Sequence, residues 1–210
     1  MLSKLKIKIA LALLRAAYPQ AATALHYRSP YELLVAVILA AQCTDVRVNM
    51  VTQELYKVAN TPEAMLALGR ERLTQYIHSC GFFNDKAKHI LEASRLLCEN
   101  FGGQVPCTRE ELQTLPGVGR KTASVVLAGA FAVPAIAVDT HVFRVSNRIG
   151  LAEAATVEKT EQQLMANIPK RDWIDAHHWL IHHGRQVCKS QRPRCDLCTL
   201  KGVCEFQSNK

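Results

Sequence analysis

Aromatic side chains make up only 6% of this sequence, too few for a protein that stacks successive bases of a single strand on aromatic platforms. Long hydrophobic runs are missing too. The start, MLSKLKIKIALALLRAAYPQA, has the look of an export signal, but its apolar run from Ile9 to Leu14 is six residues before Arg15 interrupts it. An export signal needs roughly 7–15. The charge-free stretch Val125–Val138 contains Gly129 and Pro134 and is too short to span a bilayer. No internal repeat, low-complexity tract or linker interrupts the chain, and no sustained apolar/polar alternation marks a strand, with only Ala135–Val138 arguable. A cytoplasmic protein without membrane attachment is expected.

Acidic residues are in deficit as well. Lys and Arg total 26 against 18 Asp and Glu, leaving a net charge of +8, which points to a polyanionic partner, nucleic acid first. Hydrophobic residues at 49% and charged residues at 21% suit a packed core and exclude wholesale disorder.

Helical periodicity dominates, so the predicted fold class is all-α. Leu2, Leu5, Ile9 and Leu13 mark one face of an N-terminal amphipathic helix. Pro30 opens YELLVAVILAAQCT, apolar almost all round as a central core helix should be. Asp45 is the expected N-cap of a helix reaching Val58, and Thr61-Pro62 opens another. Asn84 is the expected cap of a long helix that Gly102-Gly103 ends. Thr108-Arg109-Glu110-Glu111 reads as a capping box. Helices are predicted over roughly 139–149, 157–167 and 172–187 after a break at Pro134.

The eight cysteines divide into two groups. Cys43, Cys80, Cys98 and Cys107 sit in apolar helical contexts and are expected to be buried thiols. The others follow the pattern C-x6-C-x2-C-x5-C as Cys188, Cys195, Cys198 and Cys204. A reducing cytosol disfavours structural disulfides, so metal ligation is the natural reading. Spacing alone leaves zinc and an iron–sulfur cluster open. Lys189, Arg192, Arg194 and Lys201 surround these thiols, either offsetting a cluster's negative charge or meeting phosphates.

LPGVGRKTA joins a short helix to a long one. Gly117 and Gly119 allow a tight turn whose backbone N–H groups, with Val118 and Arg120 beside them, grip a phosphate at the positive end of the next helix. A nucleotide-binding P-loop is excluded, because Arg120 separates Gly119 from Lys121 and Thr114 stands where the first glycine belongs. Lys121 lies in the first turn of that helix, where the helix dipole and burial in the apolar stretch both disfavour an ammonium; a neutral amine is a nucleophile. Taken alone it is also a plain phosphate contact. Asp139, in AVDTHVFRV, begins the next helix, as an N-cap or as a carboxylate sharing a cleft with the lysine. His178 and His182 are spaced i, i+4, but no metalloprotease glutamate lies between them; His177, His178, His182 and His183 are expected to be structural.

Gln42-Cys43-Thr44-Asp45, LPGVGRKTA, AVDTHVFRV, HHWLIHHG and the four-cysteine loop together resemble the endonuclease III family, helix-hairpin-helix DNA glycosylases with a [4Fe–4S] cluster. The likeness runs from about Tyr31 to Cys204 in the family's order. It implies two lobes: a six-helix barrel over 22–133, with the hairpin at about 108–128, and a second lobe joining 1–21 to 134–210, with the cluster loop at 188–204. It places the lesion pocket between them, walled by Lys121 and Asp139.

The resemblance further implies that Lys121 attacks the sugar C1′, forming a Schiff base that undergoes β-elimination, with Asp139 as acid/base partner. Gln42 fills the hole left by the flipped nucleotide, and Ser79-Cys80-Gly81-Phe82 wedges against the unpaired base. Phe82 stands where leucine is frequent, which implies a bulkier wedge. Lys189, Arg192 and Arg194 are further DNA contacts. Cys188, Cys195, Cys198 and Cys204 become ligands of a [4Fe–4S] cluster, by resemblance and not by spacing. Damaged double-stranded DNA is the expected partner, oxidised pyrimidine the expected lesion, and a monomer the expected state. The adenine-mismatch glycosylases share this fold but lack the hairpin lysine and carry a further C-terminal domain, whereas this sequence ends six residues after Cys204. Two other readings remain: a noncatalytic hairpin module with a structural metal clip, and a redox protein, for which no second cofactor motif is present.

Overall fold

The computed structural model describes residues 1–208. Among them the regular elements are all helical, as the periodicity predicts. In chain order these are α1 (Lys4–Ala17), α2 (Pro30–Ala40), α3 (Asp45–Leu55), α4 (Pro62–Ile77), α5 (Phe83–Phe101), α6 (Arg109–Leu112), α7 (Arg120–Phe131), α8 (Thr140–Ile149), α9 (Val157–Asn167), α10 (Trp173–Gln186) and α11 (Glu205–Ser208). Short 3-10 turns cover Lys170–Asp172 and Cys195–Leu197. Two compact units result: Ala24–Val133, and Met1–Thr23 with the chain from Pro134 onward. No helix among the described residues is long and apolar enough to cross a membrane.

In the unit Ala24–Val133, α2 is the central rod, buried from Tyr31 to Leu39. Its sequence is apolar on every side, so it is stable only when helices surround it, and α3, α5 and α7 pack on it. Ser29 caps it, accepting from the Glu32 amide at 3.1 Å, with Pro30 in the first turn. The buried ammonium of Lys86 donates to the Leu39 carbonyl at 2.8 Å, satisfying an acceptor at the far end.

Two expected caps in this unit are corrected. Thr44, not Asp45, caps α3 by accepting from the Arg47 amide, and α3 ends at Leu55, short of Val58. Both side chains can cap, but only Thr44 has the extended backbone that a cap requires. Likewise α5 starts behind Phe82, itself left-handed at φ 56°, so Asn84 is already inside the helix. Thr61 and Thr108 cap as expected. Gly102 (φ 57°) and Gly103 (φ 77°) end α5.

In the other unit, α1 buries Ile7, Ala10, Leu11 and Leu14. This corrects the expected face: Leu5 is 69% and Ile9 41% exposed. Two apolar stripes compete on this helix: Ile7, Ala10, Leu11 and Leu14 form a compact one, whereas Lys6 and Lys8 flank that of Leu5 and Ile9 and keep it toward water. Only Leu2 of the expected set is fully buried, its amide donating to the Gly150 carbonyl at 2.8 Å. Val142, Val145, Ile149, Leu164, Trp179 and Leu180 complete this core. Ala135–Val138 is buried but not a strand. The helix before it stops at Ala132 (φ 53°), two residues ahead of the expected break at Pro134.

Candidate functional site

The turn Leu115–Arg120 is pinned by its two apolar members, Leu115 and Val118, both buried. Gly117 takes φ 80°, and a Cβ there would lie 3.1 Å from the His89 Cβ, so both conformation and space call for glycine. Gly119 does not share that need: its φ is −85° and nothing lies within 4 Å of its would-be Cβ. As N-cap of α7 it supplies no side-chain acceptor, so the first amides of α7 are not closed off by a cap. Arg120 and Lys121 follow, both exposed. The expected burial of Lys121 is therefore corrected. The apolar stretch behind it packs through Ala123, Val126 and Leu127, and a residue two places into the first turn points off that face.

Gln42 (φ 52°) and Phe82 (φ 56°) are left-handed non-glycine residues on two turns of the same unit. Each costs on the order of 1 kcal/mol, so the surrounding structure must impose it. The turns adjoin: a Cβ on Gly81 would lie 3.6 Å from the Gln42 carbonyl oxygen. Gln42 is exposed and Phe82 is 64% exposed. Cys80 is different. It is fully buried, and burial, then the neighbouring Cys43 thiol, push its pKa up to about 11. Its side chain anchors the turn before Phe82 in the core, so only its backbone is left for any outside contact. Of the four cysteines expected to be buried, only Cys80 is; Cys43 and Cys98 are half-buried and Cys107 is exposed.

Asp139 belongs to the other unit and caps α8, its Oδ1 accepting from the Val142 amide at 2.8 Å. The carboxylate is half-buried. His141 Nδ1 lies 3.2 Å from an Arg144 guanidinium nitrogen. Gly184 of α10 allows the close approach here, since a Cβ would come within 3.1 Å of the His141 side chain.

Cys188, Cys195, Cys198 and Cys204 line one cavity in this unit, together with His183 and Phe206. Burial pushes the thiols of Cys198 and Cys204 up, and the nearby cysteines add to it. Among the described residues, no three His, Cys, Asp or Glu side chains close on a single-ion point.

Two arginines of α8 hold the loop, and sequence reasoning missed both. Arg144 donates to the Cys188 carbonyl at 3.1 Å and the Gly184 carbonyl at 3.1 Å. Arg148 donates to the Lys189 carbonyl at 2.7 Å and the Ser190 carbonyl at 3.0 Å. Their i, i+4 spacing was the available signal. Lys189, Arg192 and Arg194 are exposed, and Arg192 is left-handed at φ 48°.

The histidines of α10 are held by packing and polar contacts. His183 is buried, with Nδ1 3.0 Å from the Tyr18 hydroxyl and Nε2 3.6 Å from the Cys198 sulfur, and burial pushes its pKa down to about 4. His177 and His178 pack edge to face, and His182 Nε2 lies 3.4 Å from the Ala22 carbonyl oxygen.

Residues 35–170 match the family described as HhH-GPD superfamily base excision DNA repair protein. The chain is 50% identical over 194 residues to endonuclease III of Escherichia coli (strain K12), covering 92% of each chain. A solved structure of a trapped endonuclease III–DNA covalent intermediate, an estranged-adenine complex, matches 100% of this chain and 99% of its own at 45% identity and TM-score 0.94. A non-covalent endonuclease III–DNA complex matches 100% of this chain and 98% of its own, with the same identity and TM-score.

Proposed function

The chain belongs to the endonuclease III family of the HhH-GPD superfamily of base excision DNA repair proteins, and from that premise we propose that it removes oxidised pyrimidines from damaged duplex DNA and cuts the abasic site by β-elimination. It is a bifunctional base-excision glycosylase/lyase. The observation that carries the residue assignment is Lys121, an exposed amine in the first turn of α7, directly behind a glycine turn with uncapped helix amides. A covalent enzyme–DNA intermediate, trapped for a relative, requires such a nucleophile.

A glycosidic carbon inside a duplex is out of reach, so the damaged nucleotide must leave the stack. Gln42 fills the vacated space and Phe82 wedges the partner base. Their exposed, left-handed backbones support this reading, because strain of that kind persists where the fold imposes it for use. The amides of Gly117, Val118 and Gly119 and the side chains of Arg120, Lys189, Arg192 and Arg194 hold phosphates without reading sequence.

Lys121 Nζ adds to C1′ as the base departs with the electrons of the glycosidic bond. Asp139 accepts the proton that Nζ sheds, and its charge offsets the cation building on the sugar. The capping bond to Val142 fixes the carboxylate through one oxygen and leaves the other for this task. The nitrogen lone pair then forms the C1′=N bond as the C1′–O4′ bond breaks, and O4′ takes the proton held by Asp139. The resulting Schiff base acidifies the C2′ hydrogen. Loss of that proton expels the 3′ phosphate, and water then releases Lys121.

Cys188, Cys195, Cys198 and Cys204 would hold a [4Fe–4S] cluster. The donor set supports it: four cysteines grouped at one small cavity are the thiolate ligands that such a cluster takes. Bound there, the cluster supplies rigidity to the basic loop. Arg144 and Arg148 bring positive charge to the same loop. The enzyme acts as a cytoplasmic monomer on DNA.

Borohydride trapping on duplex DNA with one abasic site tests the reading. The wild-type protein should form a covalent complex and Lys121→Gln should form none, with its melting unchanged. Absence of a complex with wild type would leave a noncatalytic hairpin module; undiminished trapping with Lys121→Gln would move the nucleophile elsewhere.

A further inference from the structure

A cavity of about 510 Å³ lies within the unit that contains α1, bordered by that helix and by the end of α9 with the 3-10 turn after it. No part of the proposed repair chemistry uses it. Its floor is apolar: Ile7 and Leu11 lie at the base, with the exposed Ala12, Ala166 and Pro169 along the edges. Its rim is basic, with exposed Lys4, Lys8, Arg15 and Arg171. The lining has one carboxylate, Asp172, and it is already engaged, accepting from Arg15 at 2.6 Å with Arg171 Nε 3.9 Å from its other oxygen, which leaves one carboxylate shared between two guanidinium groups. Arg15 also lies over the Trp179 ring at 5.3 Å, so this corner is preset. The first turn of α1 holds no acidic residue to neutralise its lysines.

We propose that this groove docks an acidic, extended segment of a partner protein through one bulky apolar side chain, with flanking carboxylates paired to Lys4, Lys8 and Arg171. Charge complementarity sets the sign of the occupant and the apolar floor sets its kind. A duplex presents a convex row of phosphates with no apolar group to insert, so cations alone would serve it and a floor of Ile7 and Leu11 would be wasted. A peptide carrying both carboxylates and a leucine or phenylalanine uses both features. The volume suits one such side chain with its neighbours. The proposal does not rest on the repair reading.

Binding of a fluorescein-labelled peptide of Asp and Glu residues around a single Phe, followed by anisotropy with the full-length protein, is the test. The peptide should bind, and binding should weaken as salt rises. Lys4→Glu with Lys8→Glu should weaken it by about tenfold or more. Ala12→Trp, which fills the groove from an exposed helix position, should abolish it. Both variants should keep wild-type circular dichroism and borohydride trapping. No binding by the wild-type protein would overturn the proposal. So would charge reversal that weakens undamaged duplex binding and spares the peptide, which would make the groove a phosphate surface. Self-association lost in Ala12→Trp without peptide binding would assign the groove to a second copy of this chain.

Discussion

Arg148 sits with one guanidinium nitrogen 2.7 Å from the Lys189 carbonyl oxygen and 3.7 Å from the Cys188 sulfur. The helix that Asp139 caps thereby also fixes the first residues of the four-cysteine loop, and the same guanidinium packs over the Phe206 ring at 4.9 Å.

Removing that anchor should loosen the loop before the rest of the unit. Arg148→Ala is expected to cost about 1–2 kcal/mol, the worth of hydrogen bonds from a charged donor. Limited proteolysis with trypsin should cut first at Lys189 or Arg194, and purified protein should hold less iron than wild type. Wild-type proteolysis and iron content would show that Arg144 alone secures the loop.

Asp139 combines a cap with a proposed chemical role, and two substitutions separate them. Asparagine caps as well as aspartate, so Asp139→Asn should melt like wild type and lose most base excision, having no carboxylate to accept a proton. Asp139→Ala should lose excision and also about 1 kcal/mol of stability. Single-turnover excision and thermal melting measure both.

The two hairpin glycines should behave differently. Gly117→Ala places a side chain at φ 80° and against His89, and should cost about 1–2 kcal/mol while weakening duplex binding at every salt concentration. Gly119→Ala, at φ −85° with open space around it, should cost less than Gly117→Ala, only the loss of about 1 kcal/mol that alanine brings at an N-cap.

Salt dependence isolates the cysteine loop's part in holding DNA. Replacing exposed Arg192 and Arg194 by alanine should shallow the slope of log affinity against log salt by roughly 2, at about 0.9 per phosphate contact. Gly117→Ala should leave that slope unchanged, since it moves amides and no cation. An unaltered slope in the arginine double variant would restrict those residues to offsetting charge within the loop.

Acid should destabilise the unit that holds His178. Burial, then the charge of His182, lower its pKa from 6.5, against a smaller opposing pull from Asp175. The unfolded chain therefore binds the proton more readily. Stability is fully present above 6.5 and falls as pH drops through that value toward the lower folded one. His178→Gln should flatten this part of the urea-midpoint profile between about pH 7 and pH 5. Parallel profiles for variant and wild type would remove His178 from the acid response.

What the sequence determined by itself was local. Apolar residues at helical spacing set the helices, and Ser29, Thr61 and Thr108 set where three of them begin, because a cap and its amide lie within three residues. The turn chemistry at Gly117 and the grouping of four cysteines were legible for the same reason. Only the tertiary structure decided which stripe of α1 is buried, that Lys121 is exposed, that Cys80 is an anchor, and that Arg144 and Arg148 hold the cysteine loop. The distances along the chain explain the division. Arg148 and Lys189 are 41 residues apart, and Lys86 reaches a carbonyl 47 residues away. Burial and charge pairing at such separations depend on which surfaces the packed helices bring together, and side-chain periodicity carries no record of the partner.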